Sequence, residues 1–181
     1  MIIPSKRPAQ PSQKTAKMLL DAGVRDAVCL LGVRGYYRDS MGKVGENDRG
    51  IYDDAIFLNS PSCHVAFNAN TDPSIYRDHV AVLKPGLWFY KLGIHGLSKP
   101  KVLQYQALVQ AAPVCVNRDN GPMQEGWFGI NIHRGSRSTT SSLGCQTIYP
   151  DQWEAFMALV KDQLQRYGQK VVPYLLREYQ G

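Results

Sequence analysis

Cys145 and His133 are the residues of this chain best suited to covalent chemistry. A thiol attacks a carbonyl carbon as its thiolate, and an imidazole within reach can take the proton at neutral pH. The two stand twelve positions apart, and a hairpin between them would bring ring and sulfur to one face. The intervening stretch is mostly Ser, Thr, Gly and Arg, which reads as a loop.

The neighbours of this pair suggest roles. Gly144 and Cys145 lie between a strand and a helix, so their backbone N–H groups are expected free of a sheet, able to hold the oxyanion formed on attack. His133 ends the apolar run that begins at Trp127. In a strand, Trp127, Gly129, Asn131 and His133 share one face while Phe128, Ile130 and Ile132 share the other, which turns His133 away from the core. Arg134 and Arg137 flank the expected cleft and suit pairing with a substrate carboxylate, the plainer reading being solvated loop charges. Ser141, Ser142 and Thr147 are further substrate-contact candidates, with loop shaping the simpler role for Ser141. Asn47, Asp48, Arg49, Tyr52 and Asp53 sit in a long loop, Arg38 to Asp53, of the kind that often lines a cleft.

This pattern resembles the catalytic domain of the YkuD-type L,D-transpeptidases. Their signature is a histidine after a strand, a loop, then Ser/Thr-His-Gly-Cys followed by Asn or Arg. Ser142-Leu143-Gly144-Cys145-Gln146-Thr147 matches the Ser, Gly and Cys positions, and His133 matches the upstream histidine. Lys84-Pro85-Gly86-Leu87-Trp88-Phe89-Tyr90 is similar to the family's Thr-Pro-x-Gly-x-Phe strand. Leu143 stands where the family has histidine, Thr147 where it has Asn or Arg, and the loop from His133 to Ser142 is several residues shorter than usual.

The resemblance implies a mixed α/β, mostly β domain: an L,D-transpeptidase-like β-sandwich with a helix after the catalytic cysteine. It implies Cys145 as nucleophile, His133 as its proton acceptor, and the carbonyl of Arg134 as the group orienting the ring. The bond attacked would follow the meso-diaminopimelate or lysine of a peptidoglycan stem peptide, with D-alanine leaving from a thioester-forming step. An amine acceptor then gives a cross-link, and water gives hydrolysis. A small, basic chain without an export signal suits hydrolysis, as in a phage lysis enzyme or an injected toxin, better than cross-linking. No cofactor or metal is implied.

The remaining sequence supplies a frame. Gln13 to Asp21 reads as a short helix behind a loose Pro- and Ser-rich arm, so residues 1–25 form an arm and 26–181 a single catalytic domain. Short β-rich runs are expected at Ala27–Val33, Ala55–Asn59, His64–Asn68, Val80–Leu83, Leu87–Leu92, Val114–Asn117 and Trp127–His133. Pro100–Ala112 is ambiguous between helix and strand. Trp153, Phe156, Met157, Val160, Leu164 and Tyr167 recur at helical spacing between Pro150 and Gly168, and Val171–Leu176 reads as a final strand.

Composition narrows the function classes. The 181 residues, 44% apolar and 20% charged, fit one globular domain, and no apolar run is long enough to span a membrane. The first residues lack the apolar stretch of a secretion signal, so synthesis in the cytoplasm and action at the cell wall or periplasm are expected. The net charge of +6 is spread along the chain with no basic run, which favours an anionic envelope over nucleic acid. The four cysteines form no CxxC pair, and Cys29 and Cys115 read as small core residues. Three rivals remain. A papain-like amidase needs a cysteine opening a helix and a histidine far downstream, but no histidine follows Cys145, and the Cys63-His64 segment reads as strand. A zinc peptidase would draw on His64, His79, His95, His133 and Asp72, without an HExxH motif. A wall-binding or structural phage protein would keep the fold without the chemistry.

Overall fold

Continuous apolar runs such as residues 29–31 and 55–58 form strands buried on both faces, while alternating runs such as residues 114–116 bury one face. The computed structural model describes residues 3–180, so Met1 and Ile2 of the arm and the terminal Gly181 lie outside the described residues. The strands are β1 (Cys29–Arg34), β2 (Asp54–Ser60), β3 (Cys63–Asn70), β4 (Ala81–Leu83), β5 (Gly86–His95), β6 (Tyr105–Gln110), β7 (Val114–Arg118), β8 (Gly121–Gly126), β9 (Ile132–Arg134), β10 (Gln146–Ile148) and β11 (Val171–Glu178). The helices are α1 (Ser12–Asp21) and α2 (Pro150–Arg166). The protein is thus mixed α/β and mostly β.

Instead of the expected sandwich, eight strands close into a barrel in the order β1-β11-β5-β6-β9-β10-β3-β2. β1 makes the closure by pairing parallel with β11 and antiparallel with β2. Strands β4, β7 and β8 form a separate three-stranded sheet. Leu30, Ile56, Leu58, Tyr174 and Leu176 belong to the main core, while their chain neighbours Cys29, Leu31, Phe57 and Leu175 join Leu19 and Val24 in a second core beside α1.

Both helices sit where their apolar stripes predict. Pro150 opens α2, where its missing N–H costs nothing. Trp153, Phe156, Met157, Val160 and Leu164 then pack into the main core, and the Phe156 ring meets Phe67 edge-on at 5.1 Å between centroids. Past α1, the N–H of Gly23 bonds Leu20 O and that of Val24 bonds Leu19 O, satisfying helix carbonyls that would otherwise be orphaned.

Several expectations change. The arm is held rather than loose: Tyr36 and Tyr37 donate hydroxyl hydrogen bonds to Ala9 O and Lys6 O, and a ring nitrogen of His64 lies 2.9 Å from Gln10 O. Pro100–Ala112 resolves into a 3-10 turn over Lys101–Leu103 and then β6. Cys29 is core, but Cys115 is only half-buried, because on β7 its two neighbours Val114 and Val116 take the buried face. The strand expected from Trp127 is confined to Ile132–Arg134, since Gly129 adopts a left-handed φ of 69° that breaks the extended run.

The long loop before β2 is anchored at its base. The buried Asp54 carboxylate accepts the N–H of Gly35 at 2.5 Å and that of Thr71 at 2.5 Å. The buried guanidinium of Arg34 pairs with Asp72 at 3.0 Å. Burial, against hydrogen bonding to Asp48 N–H, leaves the neighbouring Asp53 carboxyl pushed up to about 7.

Replacing Phe156 with alanine removes a fully buried ring from the junction of α2 and the barrel. It is expected to lower unfolding stability by about 3–5 kcal/mol. Leu143→Ala, at a side chain 59% exposed, should stay within about 0.5 kcal/mol of the parent. Urea unfolding of the two variants beside the parent checks both.

Candidate active site

The proposed thiol and imidazole come together through a parallel strand pair, not the expected hairpin. β9 and β10 run in the same direction, with Gln146 beside Ile132, Thr147 beside His133 and Ile148 beside Arg134. A parallel pair needs a crossover, and residues 135–145 supply it. That crossover is tied to the segment after β3. Ser74 N–H donates to Ser142 O at 2.8 Å, Ser142 N–H donates to Ser74 Oγ at 2.8 Å, and the hydroxyls of Ser74 and Thr140 meet at 2.6 Å.

The Ser142-Leu-Gly-Cys turn is shaped from within. Ser142 Oγ accepts the Gly144 N–H at 3.0 Å and donates to Cys145 O at 2.6 Å. Gly144 has a φ of 129°, and a Cβ there would stand 2.6 Å from Ala81 O, so only glycine fits without displacement. The buried Gln146 side chain links this turn to the barrel interior. Its Nε2 donates to Gly144 O at 3.3 Å, and its Oε1 accepts the Tyr174 hydroxyl at 3.1 Å.

These bonds revise two assignments. The Gly144 N–H is spent on Ser142 and is not free for an oxyanion. The Cys145 N–H, by contrast, has no acceptor among the described residues. Ser142 is therefore a turn-shaping residue, while Ser141, at a left-handed φ of 57°, lies at the cavity.

The Cys145 sulfur is half-buried and held on both sides. Asn131 N–H donates to it at 3.4 Å, and its own S–H faces Gly129 O at 3.4 Å. His133 is buried, and its Nδ1 donates to Arg134 O at 2.8 Å. That bond fixes the ring and leaves Nε2 as the basic nitrogen. The Tyr105 hydroxyl lies 3.3 Å from the same Nδ1. No hydrogen bond joins His133 to Cys145 among the described residues, but both line one cavity of about 470 Å³.

Electrostatics set the resting state. Burial, then the nearby His95, drive the His133 ring down to about 3 against the opposing bond to Arg134 O. Burial pushes the Cys145 thiol up, partly offset by the Asn131 N–H and the Lys99 charge. At neutral pH the site therefore holds a neutral imidazole and a neutral thiol, a general-base arrangement rather than a preformed ion pair.

The other expected residues fall outside the cavity. Arg134 is exposed and lays its guanidinium over the Tyr105 ring at 5.1 Å, while Arg137 pairs with Asp151. Thr147 is fully buried in the β9–β10–β3 ladder, with no partner for its hydroxyl among the described residues. The long loop stays away as well: Tyr52 donates to Ser136 O at 2.8 Å, Asp48 N–H bonds Asp53, and Arg49 binds Asp119. Asn47 is engaged with Asp72. Tyr52, Arg49, Asn47 and Asp53 are thus engaged in bonds that hold the loops around the site.

Three polar cavity residues, Asn131, His95 and Lys99, were not among the residues assigned to the thiol site, His95 having been considered only as a zinc ligand. Asn131 shares the His133 face, as the alternation indicates, and its Nδ2 donates to His95 Nδ1 at 3.2 Å. The His95 ring stacks on His133 with centroids 4.1 Å apart and planes 20° from parallel. Lys99 follows on the loop after β5. β5 reaches β6 through a nearby hairpin, but the β6 to β9 pairing that brings His95 to His133 is long-range and leaves no local sequence signal. Among the described residues, no three His, Cys, Asp or Glu side chains group as metal donors, so the ligand set considered for zinc is not assembled.

Comparison with family models, with curated proteins and with solved structures finds no match for this chain.

The raised thiol and lowered imidazole give a pH prediction. With its protonated form favoured, Cys145 should be alkylated slowly at neutral pH and progressively faster as pH climbs above the ordinary thiol range, with no plateau on the acid side. Iodoacetamide labelling rates against pH, read by peptide mass spectrometry at Cys145, check this. A thiolate–imidazolium pair would instead give fast labelling that persists well below pH 7.

Proposed function

We propose that the protein is a cysteine-dependent enzyme of peptidoglycan stem peptides, acting by acyl transfer through Cys145 and releasing the acyl group to water. The observation that carries this reading is the fixed His133 tautomer. Nδ1–H is committed to Arg134 O, so the basic Nε2 is available in the cavity that also holds the thiol.

The reaction follows from those atoms. The Cys145 S–H proton passes to His133 Nε2 as sulfur attacks the carbonyl carbon after the diaminopimelate or lysine. The Cys145 N–H receives the developing oxyanion. The intermediate collapses to a thioester, and the D-alanine nitrogen leaves with the proton from Nε2. Water, deprotonated by the same nitrogen, then cleaves the thioester and restores the thiol.

Hydrolysis fits the open mouth of the cavity better than cross-linking. Leu97 and Leu143 stand 74% and 59% exposed at its rim, so water reaches the thioester. The net charge of +6 favours approach to an anionic envelope, where the protein would act after synthesis in the cytoplasm. Among the described residues, no helix is long and apolar enough to cross a membrane.

Incubation with purified sacculi, followed by muropeptide analysis, tests the proposal. Shortened stem peptides are expected with the parent and none with Cys145→Ala. New cross-links would make water the wrong acceptor, and an unchanged profile would remove the enzyme reading. A carbapenem should acylate Cys145 in preference to Cys29, which is buried and pushed up to about 11, chiefly by that burial.

A further inference from the structure

The catalytic cavity carries one charge. Its lining combines the apolar side chains of Ile94, Leu97 and Leu143 with neutral polar groups, and Lys99 is its only cation or anion among the described residues. No carboxylate lies within salt-bridge distance of Lys99 among the described residues. This distinguishes it from Arg134, which stacks on Tyr105, and from Arg137, which is paired with Asp151.

The lysine sits on a defined loop. Its N–H closes a turn onto Gly96 O at 2.8 Å, and the Gln104 side chain donates to Lys99 O at 2.9 Å and to Leu97 O at 3.3 Å. The aliphatic stem lies over Gly96, where a Cβ would come within 3.4 Å of Lys99 Cδ. Its charge reaches both imidazoles of the cavity, contributing to the downward shifts at His95 and His133.

A second donor lies four residues earlier. Asn131 Nδ2–H donates to His95 Nδ1, so the neutral ring carries its proton on Nε2. That N–H has no acceptor among the described residues. One N–H at the end of β5 and one ammonium on the loop after it line the same cavity with no protein anion among the described residues to satisfy them, which suits a carboxylate.

We propose that Lys99 and His95 form a carboxylate subsite, so that the enzyme selects stem peptides whose diaminopimelate side-chain carboxylate is free over those in which it is amidated. This rests on the reading of the site as a stem-peptide enzyme and adds the group that is recognised. Both are specificity-determining residues and neither takes part in proton transfer.

Binding separates this proposal from the chemistry. Calorimetric titration of Cys145→Ala with free and amidated tetrapeptides needs no turnover. The free form should bind about fivefold more tightly or better. Lys99→Met, added to that variant, should remove the preference, and Lys99→Arg should keep it. Lys99 is exposed, and circular dichroism should show all three variants folded. Equal binding of the two peptides, binding of neither, or a preference that survives Lys99→Met would overturn the subsite. In the Cys145-containing protein the same lysine change should raise KM for the free peptide more than it lowers kcat. Selective binding without any cleavage would keep the subsite and reject the hydrolase.

Discussion

The parallel pairing of β9 with β10 is the constraint on which the site depends. It places Thr147 against His133 and so brings Cys145 level with Asn131 on the neighbouring strand, close enough for the Asn131 N–H to bond the sulfur. A parallel pair cannot be closed by a tight turn, so the crossover through residues 135–145 must be held by other means. Ser74 ties it to the segment after β3, Tyr52 holds Ser136 O, and Gln146 ties its end to Tyr174 inside the barrel. The polar residues around the cavity mostly hold backbone in place.

Burial then determines how the pair can react. Removing both groups from water disfavours their charged forms, which moves the imidazole down and the thiol up. The two shifts act together to keep the proton on sulfur at neutral pH. The Arg134 carbonyl supplies orientation in this state, since it can accept only from a protonated Nδ1. The His95 ring stacked on His133 covers a face of the base and adds to its downward shift.

What the sequence revealed and what it hid divide along contact range. The α2 stripe from Trp153 to Leu164 and most of the short β-rich runs are local patterns with a counterpart in the fold, whereas the run from Trp127 shrank to Ile132–Arg134 and the Gly144 N–H expected free is bonded to Ser142. Barrel closure depends on β1 meeting β11, which no local pattern encodes, and a sandwich has the same alternation. The strand direction after His133 was hidden for a related reason, because a Ser- and Gly-rich loop suits a hairpin as well as a crossover. Arg134 and Arg137 illustrate a different limit. Their chemistry suits a substrate carboxylate, but Tyr105 and Asp151, remote in sequence, occupy them. His95 is the converse case, an ordinary strand-end histidine until β6 carries it to His133.

The central claim is that Cys145 carries an acyl group during turnover. Intact-mass and peptide mass spectrometry of acid-quenched reactions with a stem tetrapeptide address it most directly. The account predicts a mass increase equal to the tripeptide acyl group, located on Cys145 and lost on further incubation in water. Peptide turnover with an unmodified Cys145 at every quench time and no change on its replacement by alanine would contradict it.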